Sequence, residues 1–160
     1  MVHFKSQRNT VTLLCGASLG LVITAIFIGE IFGLHPCKLC LYARWPHFAT
    51  LIILVAYHAV IIELAKKIVI GLGALAMTLS ASISIFHSGV ELKFWEGPST
   101  CANAPKLQNV TVDELLDQIL STPVVACDEI VWELFSLSMA NWNAVISLVM
   151  LFLWLRLLYK

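Results

Sequence analysis

Residues 68–90 read IVIGLGALAMTLSASISIFHSGV, an uncharged run of 23 residues enclosed by Lys67 and Glu91. About 20 apolar residues are enough for a helix to cross the hydrocarbon core of a bilayer. Three further uncharged runs have comparable length: 21 residues between Arg8 and Glu30, 18 between Arg44 and Glu63, and 22 between Glu133 and Arg156. The four runs predict an all-α membrane protein, a bundle of four transmembrane helices.

The overall composition points to the same class of protein. Of the 160 residues, 59% are hydrophobic and only 12% are charged, and the mean hydropathy is +0.88. Soluble domains are about 25% charged, so the composition argues against a soluble enzyme, whose apolar surface would aggregate. Because of this hydropathy, we expect the protein to lie in a lipid bilayer. The sequence has no basic stripe with interleaved aromatic residues, so we expect no nucleic-acid partner.

The distribution of charge predicts the orientation of the chain. We expect one integral-membrane domain over residues 1–160, with spans at about 10–33, 45–63, 67–90 and 139–157 and loops at about 34–45 and 91–138. The side with both termini carries six Lys and Arg residues, against four on the side of the loops. The positive-inside rule therefore predicts cytoplasmic termini and outward loops. The first run exceeds the apolar region of about 7–15 residues in a signal peptide, so we expect a retained anchor.

Small residues recur at every fourth position in two of the runs. One face of the first run carries Gly16, Gly20 and Thr24, and one face of the third carries Ala76, Ser80, Ser84 and Ser88. Such stripes allow helix backbones to approach closely in lipid. We therefore expect both stripes to lie at helix interfaces.

The long second loop contains one predicted helix. Residues 111–114 fit a capping box, and apolar residues follow at helical spacing until Pro123: Val112, Leu115, Leu116, Ile119 and Leu120. We expect a short amphipathic helix that either rests on the membrane surface or docks onto the bundle.

Four of the five cysteines fall in the two predicted outer loops, whereas Cys15 lies within the first span. Disulfides persist in oxidising compartments such as the bacterial envelope. A cysteine surrounded by apolar groups behaves as a small hydrophobic residue, so we expect no chemistry at Cys15. The two outer pairs are the candidates for chemistry: Cys37 with Cys40, and Cys101 with Cys127.

Cys37 and Cys40 form a Cys-x-x-Cys motif that follows Pro36 at the predicted start of a helix. The free N–H groups and the dipole of a helix N-terminus stabilise a thiolate. Arg44 lies one helical turn beyond Cys40 and places a permanent cation on the same face. The motif therefore predicts a redox-active dithiol with a low thiol pKa. The alternatives are a structural disulfide and a zinc half-site that the second cysteine pair would complete.

Cys101 and Cys127 lie 26 positions apart and permit two interpretations. A bridge between them would staple the long loop, whereas exchange with the Cys-x-x-Cys pair would move electrons between the two pairs. The location of both pairs on one side of the membrane favours exchange. His87, near the outer end of the third run, either hydrogen-bonds a polar ligand or is an interfacial histidine, and the residues alone favour the latter.

The segment PCKLCLYARWPH at residues 36–47 resembles the signature of the DsbB family, the inner-membrane disulfide bond formation proteins. Residues 87–101, HSGVELKFWEGPSTC, and residues 127–143, which begin CDE and end SMANWN, are similar to the rhizobial-type branch of that family. The resemblance implies a membrane thiol oxidase of the bacterial inner membrane. Such an enzyme re-oxidises a DsbA-like periplasmic thiol oxidant and passes electrons through two cysteine pairs to the membrane quinone pool, with ubiquinone or menaquinone as the cofactor.

The resemblance also implies a role for each site residue. The catalytic residues are expected to be Cys37, Cys40, Cys101 and Cys127, with Arg44 and His87 binding the quinone and no metal involved. The partner's thiolate would attack Cys101, and Cys127 would resolve the mixed disulfide or pair transiently with Cys37. Cys40 would then be the thiolate that faces the quinone beside Arg44.

Two expectations remain open to structural test. Because thiol exchange depends on access to the sulfur, we expect an exposed Cys101 and a partly buried Cys40. The alternative to an enzyme is a non-enzymatic membrane scaffold, in which both cysteine pairs are structural disulfides.

Overall fold

The computed structural model describes residues 2–98, 101 and 126–159, and of residues 2–6 only the backbone. Within these residues the chain forms four long helices and a short hairpin: α1 Val2–Phe32, α2 Lys38–Ala59, α3 Glu63–Glu91, β1 Glu133–Leu134, β2 Leu137–Ser138 and α4 Met139–Leu158. Each of the four helices is long and apolar enough to cross a membrane, which confirms the predicted four-helix membrane fold. The predicted helix near 111–123 lies outside the described residues.

Helix α3 lies between α2 and α4, and α1 packs mainly against α2. The core between the helices contains large side chains such as Tyr57, Met77 and Trp154, all at most 1% exposed. A Cβ atom on Gly73 would lie 2.6 Å from the ring of Trp154, so glycine at this position lets α4 approach α3 closely. Large apolar side chains such as Ile52 point outward from the bundle, as lipid contact requires.

The connection from α1 to α2 places the first cysteine pair at the end of the bundle. Gly33 adopts a left-handed φ of 63°, and the N–H of Leu34 donates to the carbonyl of Gly29 at 2.8 Å. This is the hydrogen bond of a Schellman motif, which ends α1. Pro36 then precedes Cys37, whose extended backbone conformation caps the start of α2.

The small-residue stripe on α3 lies at a helix interface as predicted. Ala76, Ser80, Ser84 and Ser88 are each at most 8% exposed. The prediction for α1 is wrong, because a Cβ atom on Gly16 or Gly20 would meet nothing within 4 Å. The buried face of α1 is formed instead by Val11, Cys15, Ser18 and Val22. Spacing alone shows that residues share a face and does not show which face meets a neighbour.

Candidate thiol and ligand site

All four loop cysteines meet in one buried cluster at the end of the bundle. Cys37, Cys101 and Cys127 are 5%, 6% and 2% exposed, and the partly buried Cys40 packs against them. Cys101 and Cys127 form a disulfide, whereas Cys37 and Cys40 are free thiols. The fold therefore holds one oxidised and one reduced pair in contact, which is the arrangement that thiol–disulfide exchange requires.

Cys37 is the N-cap residue of α2. Its Sγ accepts a hydrogen bond from the backbone N–H of Cys40 at 3.3 Å. The pKa of Cys37 lies well below the ordinary thiol value, mainly because the Cys40 thiol donates a hydrogen bond to its sulfur. Contact with His87 lowers this pKa further, whereas burial of the sulfur raises it. These contacts favour the thiolate form of Cys37 in the reduced pair, because such donors stabilise a negative sulfur.

His87 contacts both sulfurs of the reduced pair. Its Nε2 lies 3.4 Å from Cys37 Sγ, and its Nδ1 lies 4.0 Å from Cys40 Sγ. The ring also interacts with the backbone of Cys127. His87 is 3% exposed. The structure therefore places this residue inside the cysteine cluster, and the interpretation as an interfacial histidine, which the residues alone favoured, is wrong.

Glu91 lies one turn beyond His87 on α3 and contacts the same ring nitrogen as Cys37. Oε1 of Glu91 is 3.7 Å from His87 Nε2, and the Glu91 side chain is only 6% exposed. Its Oε2 accepts a hydrogen bond of 2.5 Å from the hydroxyl of Ser138. Ser138 is the N-cap of α4 and also accepts from the N–H of Asn141 at 3.2 Å. Glu91 thus connects the histidine to the start of α4.

The burial of Cys101 differs from the sequence-based expectation. We expected an exposed Cys101 and a partly buried Cys40, but only Cys40 has the expected accessibility. Cys101 is covered because it packs with Cys37, Leu39 and Val90. A groove of about 500 Å³ nevertheless reaches both bridged cysteines between Trp95 and Asp128.

A second cavity of about 260 Å³ opens beside Cys40. Cys40, Arg44 and His87 line one part of it, and the other walls are mainly apolar side chains of α1 and α4. The Arg44 guanidinium interacts electrostatically with Cys40, and no carboxylate pairs with it among the described residues. A cavity of this kind, apolar with a few convergent polar groups, is typical of a site for a small molecule.

One group of potential metal ligands occurs in the described part of the chain. The ligand atoms of Cys37, Cys40 and His87 lie within 4.8 Å of one another. The zinc alternative, however, needs Cys101 and Cys127 as further ligands, and these two sulfurs are bonded to each other. The structure therefore brings together a dithiol and a histidine and does not bring together the four thiolates of a zinc site.

Several residues of the site were not identified by sequence reasoning. Glu91 was used only as the boundary of an uncharged run, although its spacing of four from His87 was a detectable signal for contact. Asn143 and Ser84 also line the cavity. A serine within a small-residue stripe gives no local signal of a ligand site, and the packing of α3 on α4 decides its surroundings.

Comparisons with known proteins agree with these features. The family model described as "Disulfide bond formation protein DsbB" matches residues 7–157. A protein named "Disulfide bond formation protein B" from Haemophilus influenzae (strain Rd) is 30% identical, over 90% of this chain and 81% of its own length. The protein of the same name from Shewanella sp. (strain W3-18-1) is 25% identical, over 97% of this chain and 89% of its own length.

A relative of unassigned function is similar over nearly its whole length. "Uncharacterized protein RP370" from Rickettsia prowazekii is 26% identical, over 98% of this chain and 92% of its own length. No solved structure gives a significant match. The family match covers nearly the whole chain, including all four helices and both cysteine pairs. The chain is therefore a multi-pass membrane protein that belongs to the DsbB family of disulfide bond formation proteins.

Proposed function

We propose that this chain is a protein-dithiol:quinone oxidoreductase of the bacterial inner membrane. In this proposal residues 1–160 form a single membrane domain with cytoplasmic termini and periplasmic cysteine loops, and the thiol partner is a DsbA-like periplasmic oxidant. The position of Cys40 carries the proposal. It packs against the cluster that contains the Cys101–Cys127 disulfide and also lies on the wall of the apolar cavity.

The Cys101–Cys127 disulfide is the pair that would react with the soluble partner. The groove beside Trp95 supports this role, because it gives a partner segment a route to the bridge. Both sulfurs are buried, so attack on Cys101 requires the cluster to open. Attack would break the Cys101–Cys127 bond, join Cys101 to the partner and release Cys127 as a thiolate, which can exchange with Cys37 when Cys37 and Cys40 form a disulfide.

The Cys-x-x-Cys pair would carry the electrons to the membrane. In the free dithiol the thiolate is Cys37, because α2 and His87 stabilise that sulfur. Once this pair has been oxidised to a disulfide by quinone, the Cys127 thiolate can attack Cys37. The Cys37–Cys127 bond would then form as the Cys37–Cys40 bond breaks, and Cys40 would leave as the thiolate beside Arg44. Cys40 would therefore be the thiolate when Cys37 is bonded to Cys127. Cys37, with its low pKa, would be the thiolate when Cys37 and Cys40 are both reduced.

The residues around the cavity fit a quinone. Arg44 and His87 present donors on the same wall as Cys40, and the remaining walls suit a lipid-soluble ring. When bound, a quinone supplies a two-electron oxidant, and the net reaction is dithiol plus quinone giving disulfide plus quinol. His87 lies within reach of both thiols, so its ring nitrogens can accept the proton that leaves either sulfur.

Quinone reduction by the purified protein, with a reduced DsbA-like protein as electron donor, tests this proposal. We expect turnover in the wild type and none in Cys40→Ser or Cys101→Ser. Cys15→Ala is the matched control, because Cys15 is a free, buried thiol in the main core, and it should retain turnover. A folded protein that reduces neither ubiquinone nor menaquinone analogues would instead support the scaffold with structural disulfides.

A further inference from the structure

A chain of polar side chains crosses the centre of the bundle and ends at the cavity. His47, 2% exposed on α2, has its Nε2 3.1 Å from Oδ1 of Asn143 on α4 and its Nδ1 3.3 Å from the hydroxyl oxygen of Ser18 on α1. Nδ2 of Asn143 donates to Oγ of Ser84 on α3 at 2.6 Å. His47 Nε2 also lies 3.0 Å from Oγ of Ser80 on α3, which accepts from Nδ2 of Asn143 at 3.3 Å. Residues of all four helices therefore take part.

The chemistry of these groups fixes the direction of the hydrogen bonds. The carboxamide oxygen of Asn143 can only accept, so the Nε2–H of a neutral His47 donates to it and Nδ1 accepts from the Ser18 hydroxyl. The amide NH₂ of Asn143 can only donate, so the Ser84 oxygen is the acceptor. The hydrogen of the Ser84 hydroxyl is then left to be donated elsewhere. Among the described residues, this hydroxyl donates no hydrogen bond.

Ser84 is placed so that this hydrogen can point to a ligand. It is 1% exposed, yet it lines the same cavity as Cys40, Arg44 and His87. It lies three residues before His87 on α3, so the two side chains share a helix face. A buried donor without an acceptor is unfavourable, and an oxygen atom of a ligand would remove that cost.

We propose that Ser84 donates a hydrogen bond to a carbonyl oxygen of the quinone, and that Asn143 and His47 are positioning residues that orient its hydroxyl. This inference rests on the proposed function, because it assumes that the cavity holds a quinone. The oxygens of a quinone accept hydrogen bonds and cannot donate them, which matches the unused donor. Arg44 and His87 would contact the quinone ring near Cys40. Ser84 would donate its hydrogen bond about one helical turn deeper along α3.

The alternative is that the polar chain only holds the helices together, as interhelical hydrogen bonds do in membranes. Two substitutions separate these readings. Ser84→Ala removes the hydroxyl, and Ser84→Thr retains it. Ser88→Ala is the matched control, because the Ser88 hydroxyl is also buried on α3 and donates to the backbone carbonyl of Ser84 at 2.9 Å.

The decisive measurement is the dissociation constant of a short-chain 1,4-benzoquinone for the oxidised protein in detergent. Quenching of tryptophan fluorescence reports binding, since Trp132 and Trp142 line the cavity. We expect Ser84→Ala to weaken binding about 3- to 10-fold, the range for one lost hydrogen bond. Ser84→Thr and Ser88→Ala should bind like the wild type, and KM for quinone should rise in Ser84→Ala while thiol exchange with a DsbA-like donor is unchanged.

Asn143→Asp tests the orientation of the hydroxyl. This change replaces the donor that faces Ser84 by an acceptor, so the Ser84 hydroxyl turns toward residue 143 and away from the cavity. We expect the same loss of quinone affinity as in Ser84→Ala. Equal affinities in wild type, Ser84→Ala and Ser88→Ala would overturn the inference and leave the proposed function intact. A wild-type protein that binds no quinone would overturn both.

Discussion

His87 Nε2 lies 3.4 Å from Cys37 Sγ, although 50 positions separate the two residues in the chain. The contact joins the C-terminal end of α3 to the N-cap of α2, where the backbone N–H of Cys40 also points at the same sulfur. A thiol in such surroundings is held as a thiolate. The reactivity of the dithiol therefore depends on a residue outside the Cys-x-x-Cys motif.

The first prediction concerns the pH dependence of Cys37. His87 lowers the pKa of Cys37, so His87→Ala should raise it and move the midpoint of Cys37 alkylation to higher pH. At a pH below the midpoint of the variant, Cys37 of His87→Ala should be alkylated more slowly than Cys37 of the wild type, because less of it is thiolate. Iodoacetamide labelling across a pH series, read by peptide mass spectrometry, measures this shift. His58→Ala, at an exposed histidine on α2 that contacts Thr12, should leave the profile unchanged.

The second prediction concerns Glu91. Glu91→Ala removes the partner of both His87 and Ser138, so two buried polar groups lose a contact. We expect the free energy of unfolding to fall by about 1–3 kcal/mol. Thermal unfolding of the reduced protein in detergent measures the change. Glu96→Ala removes an exposed carboxylate from the segment that follows α3 and should have little effect. Equal losses in the two variants would contradict the role given to Glu91.

The third prediction concerns a close approach between Gly89 and Trp95. A Cβ atom on Gly89 would lie 1.9 Å from the Trp95 ring, and the Trp95 N–H donates to the carbonyl of Phe86 at 2.8 Å. Gly89→Ala should therefore displace the indole and lower the free energy of unfolding by about 1–3 kcal/mol.

A matched variant shows whether crowding causes that loss. Gly20→Ala adds the same methyl group to a helix, but at a position where nothing lies within 4 Å. Its stability should be unchanged or rise by up to about 1 kcal/mol, since alanine favours helix more than glycine does. Thermal unfolding of the two variants side by side makes the comparison, and similar losses in both would argue against the steric explanation.

The fourth prediction concerns exchange between the two cysteine pairs. Cys37 and Cys127 belong to the same buried cluster, so a double substitution, Cys40→Ser with Cys101→Ser, leaves their thiols as the pair that can meet. We expect mild oxidation to form a Cys37–Cys127 disulfide within one chain, identified by non-reducing peptide mapping. Cys15 should remain a thiol, because it is buried in the separate main core. Disulfides between two chains in place of the internal bond would count against direct exchange.

The membrane helices and the thiol at a helix start could be predicted from the amino-acid sequence, because each depends on residues that are close together in the chain. Four uncharged runs of helical length predicted the membrane helices, because crossing a bilayer depends on the length and hydropathy of one continuous segment. Pro36 and the Cys-x-x-Cys spacing predicted a thiol at a helix start, and the spacing from Cys40 to Arg44 placed a cation one turn away. The relationships among Pro36, the two cysteines and Arg44 lie within residues 36–44, so local spacing could reveal them.

Contacts between residues far apart in the chain, and the helix faces that are buried against a neighbouring helix, could be seen only in the tertiary structure. The Gly16 and Gly20 stripe is open, and the Ser80 and Ser84 stripe is buried, although both have the same four-residue spacing. Likewise, Ser84 meets Asn143 across 59 positions. Such contacts depend on how each helix is rotated about its axis, which the packing of all four helices sets together. For that reason spacing predicted the dithiol, the family resemblance alone pointed to His87, and nothing in the sequence pointed to the Ser84 hydroxyl.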